Sequence, residues 1–265
     1  MVGMDDYEKV KKIGRGAMGV CWLVKRRADG QQVVAKEISV VGLSDKEQLE
    51  AMREVEVLRK LQHPNVISLH SAFIDKLPTT GNALYIIMEH ADAGDLAAVV
   101  KRGRRMTEAK ILNIFGQMCV GLAHVHSLNV LHRDLKTANI LLLKNGVVKL
   151  GDFGIARVMT GESDMAQTMI GTPYYLSPEI CEDQPYNRKS DVWSLGCVLY
   201  ELSTLKRPFE GASLPALVLK IVRGTYAPLP ATFSAGFRSL VALLLSRSPD
   251  HRPEAAAVPP MPLVA

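Results

Sequence analysis

The chain has little that would tie it to a secreted, membrane or metal-clustered class. Its 265 residues include four cysteines, Cys21, Cys119, Cys181 and Cys197. They are scattered with no C-x-x-C pair, so neither a disulfide framework nor a zinc cage is expected. No stretch approaches the roughly 18 uninterrupted apolar residues of a membrane span. The opening MVGMDDYEKVKK is charged where a signal peptide would be apolar. No membrane insertion is expected, and cytoplasmic residence is the default. Aromatic residues make up 6% of the chain, and none interleaves with the two basic clusters, KRR at 25–27 and KRGRR at 101–105. The net charge of +5 therefore reads as solvated faces, with no nucleic-acid partner. Internal repeats are absent. There remains enough chain for one large domain or two lobes.

The first hundred residues read as strands around one helix. VVAKEI (33–38) and ALYIIM (83–88) are short β-branched runs. SDKEQLEAMREVEVLRKLQ (44–62) predicts a helix, with Ser44 as N-cap and Glu47 three residues on completing a capping box. DKLPTTGN (75–82) predicts a loop. From residue 100 helices dominate. In 107–127, Ile111, Ile114, Phe115, Met118, Leu122 and Val125 recur at helical spacing, and further helices are expected near 190–204, 213–222 and 235–246. Four prolines between 253 and 262 exclude a helix through EAAAVPPMPLVA, which predicts an irregular tail. The pattern is α+β, with a β-rich front and an α-rich back.

IGRGAMGV (13–20) holds a G-x-G-x-x-G string at Gly14, Gly16 and Gly19. A dinucleotide fold needs a helix directly after it, yet VCWLVKRRADGQQVVAKEI reads as strand, turn, strand. No G-K-[ST] follows either. What remains is a hairpin whose glycine tip can lie close over phosphates. Lys36, inside an apolar strand, needs an anionic partner, and Glu54 on the following helix is the best candidate. In VLHRDLKTANILL (130–142) an apolar run is broken by His132, Arg133, Asp134, Lys136 and Asn139. LGDFGIA (150–156) and Pro178-Glu179 follow.

In that order and spacing these elements resemble the eukaryotic protein-kinase signature over residues 7–252. The resemblance implies a two-lobed fold within a domain at 1–252: a small β-rich N-lobe (about 7–88) with one main helix, a hinge (about 89–92), and a larger, mostly α-helical C-lobe (about 93–252). It also implies ATP and Mg2+. Ile13, Gly14, Arg15, Gly16 and Gly19 would cover the phosphates, Lys36 would hold them, and Glu54 would orient Lys36. Asp134 would take the substrate hydroxyl proton, Lys136 would neutralise the γ-phosphate, and Asn139 and Asp152 would bind metal. Phosphoryl transfer gathers negative charge on oxygens, so cations must face it while a carboxylate orients the incoming hydroxyl. Cys21 and Val34 would line the adenine site, Met88 would guard the pocket behind it, backbone groups of Glu89 and Ala91 would pair with the base, and Asp95 would meet the ribose. Lys136-Thr137 and Thr172 match the serine/threonine pattern. Arg133 before Asp134 implies activation by a phosphate on Thr168, paired with Arg133 and Arg157. Asp191 is expected to fix the backbone at His132 and Arg133, Glu179 to pair with Arg252, and His132, Phe153 and Leu58 to stack with a strand residue into a column.

GTPYYLSPEICEDQPYNRKSDVWSLGCVLYELSTLKRPFEG (171–211) and LVLKIVRGTY (217–226) resemble the NimA-related serine/threonine kinases, as do LYIIMEHADAGDL, REVEVLRKLQHPN and the cysteine at 21. That resemblance implies protein substrates with Ser or Thr acceptors, and partners at microtubules, centrosome, cilium or nucleus. The tail at 253–265 departs from it, because a final helix is expected there. The alternative to an active kinase is a silent scaffold, although Lys36, Asp134 and Asp152 are all retained.

Overall fold

The computed structural model describes residues 3–16, 19–77, 81–153 and 173–258. They fall into two compact units, divided between Ala91 and Asp92.

The N-terminal unit is a five-stranded antiparallel sheet of β1 (Tyr7–Gly16), β2 (Gly19–Arg26), β3 (Gln32–Ser39), β4 (Leu69–Leu77) and β5 (Gly81–Glu89), in the order β1-β2-β3-β5-β4. Val24, Val33, Ala35 and Ile87 are fully buried with Tyr7 beside them. Helix α1 (Asp45–Arg59) starts where its cap predicts: the Ser44 hydroxyl accepts from Glu47 N at 3.4 Å, and Glu47 Oε2 accepts from Ser44 N at 2.7 Å. Such a cap contributes about 1 kcal/mol. The expected loop at 75–82 is shorter than its composition suggests, since Asp75–Leu77 belong to β4 and Gly81–Asn82 to β5. Turn-forming residue types there are overridden by strand pairing, with Asp75 opposite Ala83.

The C-terminal unit is helical around one small hairpin, β6 (Ile140–Leu142) and β7 (Val148–Leu150). Among the described residues its helices are α2 (Leu96–Lys101), α3 (Glu108–Ser127), α4 (Pro178–Cys181), α5 (Arg188–Thr204), α6 (Leu214–Arg223) and α7 (Ala235–Leu244). In α3 the buried stripe is Ile111, Ile114, Phe115, Met118, Leu122 and Val125, with Cys119 and Gly121 beside it. Helix α5 is buried on every side, with no exposed residue from Ser190 to Ser203. It can approach α7 closely because of Gly196, where a Cβ would lie 2.9 Å from the Leu244 side chain. The tail begins with packed structure: Ala255–Ala257 make a 3₁₀ turn, and Ala255 and Val258 are buried in the unit's core. No α-helix forms between 253 and 258.

Candidate active site

In the N-terminal unit, strand register gathers most of the nucleotide-binding candidates. Gly14 lies opposite Cys21 and Gly16 opposite Gly19, Cys21 faces Lys36, and Val34 faces Met88. Directly opposed residues of an antiparallel sheet share a face, as do residues two apart on one strand. Gly14, Cys21, Val34, Lys36 and Met88 therefore stand on one side of the sheet. Arg15, opposite Val20, belongs to the other side, and Arg15 and Ile13 are exposed. Gly19 is sterically required, because a Cβ there would lie 2.1 Å from the Glu37 carbonyl oxygen. Lys36 is half-buried. The side chain of Glu54, its expected partner on α1, lies outside the described residues. At the end of β5 the Glu89 N–H donates to Ser68 O at 2.9 Å, and the Glu89 carboxylate accepts from Ser68 N at 3.2 Å.

In the C-terminal unit the polar stretch after His132 is a loop closed by a 3₁₀ turn, Thr137–Asn139, leading into β6. Buried Leu135 and Ile140 anchor it on either side. Within it Lys136 Nζ reaches both Asp134 oxygens, at 2.7 and 3.0 Å. Asn139 Nδ2 donates to the Asp134 carbonyl at 2.7 Å and to its Oδ2 at 2.8 Å. Because the amide nitrogen faces Asp134, the Asn139 oxygen is the atom left to meet a cation. Gly151 N donates to Asn139 O at 2.9 Å, which sets Asp152 beside that turn. Asp152 adopts φ +54°. Asp95 caps α2, accepting from Ala98 N at 2.7 Å, and its backbone bridges to Leu141 on β6.

Asp191, fully buried on α5, holds the loop from behind. Its carboxylate accepts from His132 N and Arg133 N, each at 3.0 Å, from the Tyr186 hydroxyl at 2.6 Å, and contacts His126 Nε2 at 2.7 Å. Burial opposes its ionisation, but the hydrogen bond and charge of His126, the charge of His132 and the Tyr186 hydroxyl outweigh it, and its pKa lies below the ordinary value. These bonds hold Arg133 at φ +65°, a conformation costing a non-glycine residue about 1 kcal/mol. The Asp191 role expected from sequence is thus observed. His132 stacks on Phe153 at 4.5 Å, and burial pushes the His132 pKa down. That ring pair is the part of the expected column lying within this unit.

A second network was not legible in the sequence. The Tyr175 hydroxyl lies 3.1 Å from Thr137 Oγ1 and donates to Glu201 Oε2 on α5. All three side chains are buried. Burial raises the pKa of Tyr175, and the neighbouring Glu201 carboxylate adds to it. Burial likewise raises Glu201, against the opposing hydrogen bond from Tyr175. Ser194 Oγ donates to Tyr175 O at 3.0 Å. The segment 173–175 is therefore tied both to α5 and to the catalytic-loop candidate. Partners 38 and 26 residues apart leave no local spacing signal. Thr172, Thr168 and Arg157 lie outside the described residues.

Comparison with known proteins gives the arrangement its class. Residues 7–264 match the protein kinase domain family. The chain belongs to the protein kinases, in their NimA-related (Nek) branch. It is 46% identical to nek3 of Dictyostelium discoideum, a probable serine/threonine-protein kinase, over 98% of this chain and 24% of that protein. It is 46% identical to mouse serine/threonine-protein kinase Nek1 over 96% of this chain and 21% of that protein. With nekl-2 of Caenorhabditis elegans it shares 43% identity over 98% of this chain and 75% of that protein. The chain thus spans about a quarter or less of the first two relatives. No helix among the described residues is long and apolar enough to cross a membrane.

Proposed function

We propose that the protein transfers the γ-phosphate of ATP to serine or threonine hydroxyls of other proteins. The observation that carries this reading is the turn on which Asp134, Lys136 and Asn139 meet within hydrogen-bond distance, beside Asp152. Asp134 accepts the hydroxyl proton and aims the oxygen, a contribution of about 10²–10⁴ in rate. Lys136, paired with Asp134, is near enough to exchange that carboxylate for a phosphate oxygen. Lys36, with Glu54, holds the phosphates under the Gly14–Gly16–Gly19 hairpin. Cys21, Val34, Met88 and the backbone at Glu89 and Ala91 receive the adenine, and Asp95 the ribose.

Asn139 and Asp152 suit Mg2+, since both offer hard oxygen atoms. Among the described residues no three His, Cys, Asp or Glu side chains gather into a closed cage. Mg2+ keeps several waters and takes phosphate oxygens beside one or two carboxylates, so it needs no closed protein cage. When bound, Mg2+ neutralises charge on the transferred group. Thr168 is the phosphorylation site that switches activity on, through Arg133 and Arg157. The protein works in the cytoplasm, with microtubule, centrosome, cilium or nuclear partners suggested by the family resemblance.

The test is a Ser/Thr peptide array with ATP and Mg2+, comparing wild type with Asp134→Asn. Incorporation that falls at least a hundredfold in the variant is expected, and equal incorporation overturns the reading.

A further inference from the structure

Arg207 follows α5 in the segment 205–208 and sits over Tyr174, its guanidinium carbon 3.8 Å from the ring centroid. Both side chains are half-exposed. Two other arginines of this unit direct their N–H groups to carboxylates or carbonyls: buried Arg252 to Glu179, and half-buried Arg238 to Phe233 O. Arg207 makes no hydrogen bond and no ion pair within the described residues. One acid is close enough to interact with it electrostatically. Glu201 feels the charge of Arg207 but is buried and bonded to Tyr175. Exposed Glu210 acts on Glu201 without reaching ion-pair distance of Arg207. The result is a half-exposed guanidinium resting on an aromatic face, with no N–H committed to a partner among the described residues. A planar fork fixed in this way is suited to bind an anion, because its rotamer freedom is already restricted.

Its location decides which anion. Tyr174 and Tyr175 share one 3₁₀ turn, Pro173–Tyr175, and the Tyr175 hydroxyl touches Thr137, three residues beyond Asp134. An acceptor peptide presenting its hydroxyl to Asp134 spans about 20 Å in six extended residues, enough to run over Tyr174. We infer that Arg207, seated over Tyr174, is a specificity-determining residue that receives an anionic side chain of the acceptor segment, a carboxylate or a phosphorylated residue, a few positions from the phosphorylated hydroxyl. This inference rests on the kinase reading above and adds the substrate chemistry of that site.

The test is a positional-scanning library around a fixed serine, with aspartate, phosphoserine, alanine or lysine at each flanking position, given to the full chain. Wild type is expected to favour aspartate or phosphoserine over lysine by about tenfold in kcat/KM at one position. The two anionic arms show which source is preferred. Arg207→Glu is expected to invert the ratio at that same position, and Tyr174→Leu to shrink it. Arg207→Lys is expected to keep the sign with a smaller ratio. Each ratio is internal to one preparation, so partial misfolding cancels. Ratios unchanged within twofold at every position in Arg207→Glu overturn the subsite and leave the kinase reading standing. Incorporation by wild type no greater than by Asp134→Asn on any peptide overturns both.

Discussion

Glu179 and Arg252 form a two-pronged ion pair, Nη1 to Oε1 at 2.7 Å and Nη2 to Oε2 at 2.8 Å, although they lie 73 residues apart. Both are buried, and the pair is further satisfied by Ser190 Oγ and by the carbonyls of Lys189, Ser246 and Arg247. Arg252 also sits over the Trp193 ring. Truncating one member strands the other charge in the interior, so Arg252→Ala is expected to lose about 3–5 kcal/mol. Chemical denaturation of the variant checks this, and a loss under 1 kcal/mol would contradict the buried geometry.

The acid side of the stability profile follows from two carboxylates. Burial raises both, but Arg252 holds Glu179 below its ordinary pKa, and His126 does the same for Asp191. A depressed folded pKa contributes stability that is complete above the unfolded value and is lost as pH falls through the folded value. Denaturation midpoints are therefore expected to fall steadily from about pH 5 downward.

Glu201 has the opposite sign. Its folded pKa is raised by burial, so wild type loses stability as pH rises from the unfolded carboxylate value to the folded one. Glu201→Gln keeps an acceptor for Tyr175 and does not titrate. Relative to wild type it is expected to gain stability with rising pH and then plateau. Parallel melts at pH 5 and pH 8 test this, and a gap that narrows toward pH 8 would refute the assignment.

Asp191→Asn leaves the volume of the side chain unchanged but sets an N–H2 group among donors. Release of the His132 and Arg133 backbone is expected to lower kcat at least tenfold, with KM for ATP changed less than threefold. Steady-state kinetics on folded protein separate this from simple unfolding.

Gly19→Ala places a methyl group against the Glu37 carbonyl at 2.1 Å, and backbone cannot yield cheaply. The β1–β2 hairpin must shift, so KM for ATP is expected to rise severalfold while the C-terminal unit is unaffected. Nucleotide titration by fluorescence measures the change.

How much could be read from the sequence depended on where each residue's partners lie. Ser44 and Glu47 are three residues apart, so the start of α1 was legible, and α3 showed its one-sided stripe. Helix α5, expected near 190–204, shows little periodicity because every face from Ser190 to Ser203 is buried. Strand β4 was missed, because LHSAFIDKL mixes polar and apolar residues and gains its place by pairing with β5 and by Phe73 stacking between Tyr7 and Tyr85. Asp134, Lys136 and Asn139 were legible as chemistry, whereas the Tyr175–Thr137–Glu201 bonds join segments that only the fold brings together.

An element without a wet face constrains what can be altered around it. In α5, every side chain from Ser190 to Ser203 is read by a neighbour, and Gly196 leaves no space for even one added carbon. Insertions, affinity tags, labels and permuted termini have to go elsewhere, and exposed positions such as Gly103 or Gly146, each in a left-handed turn with nothing near its Cβ direction, are the places to put them.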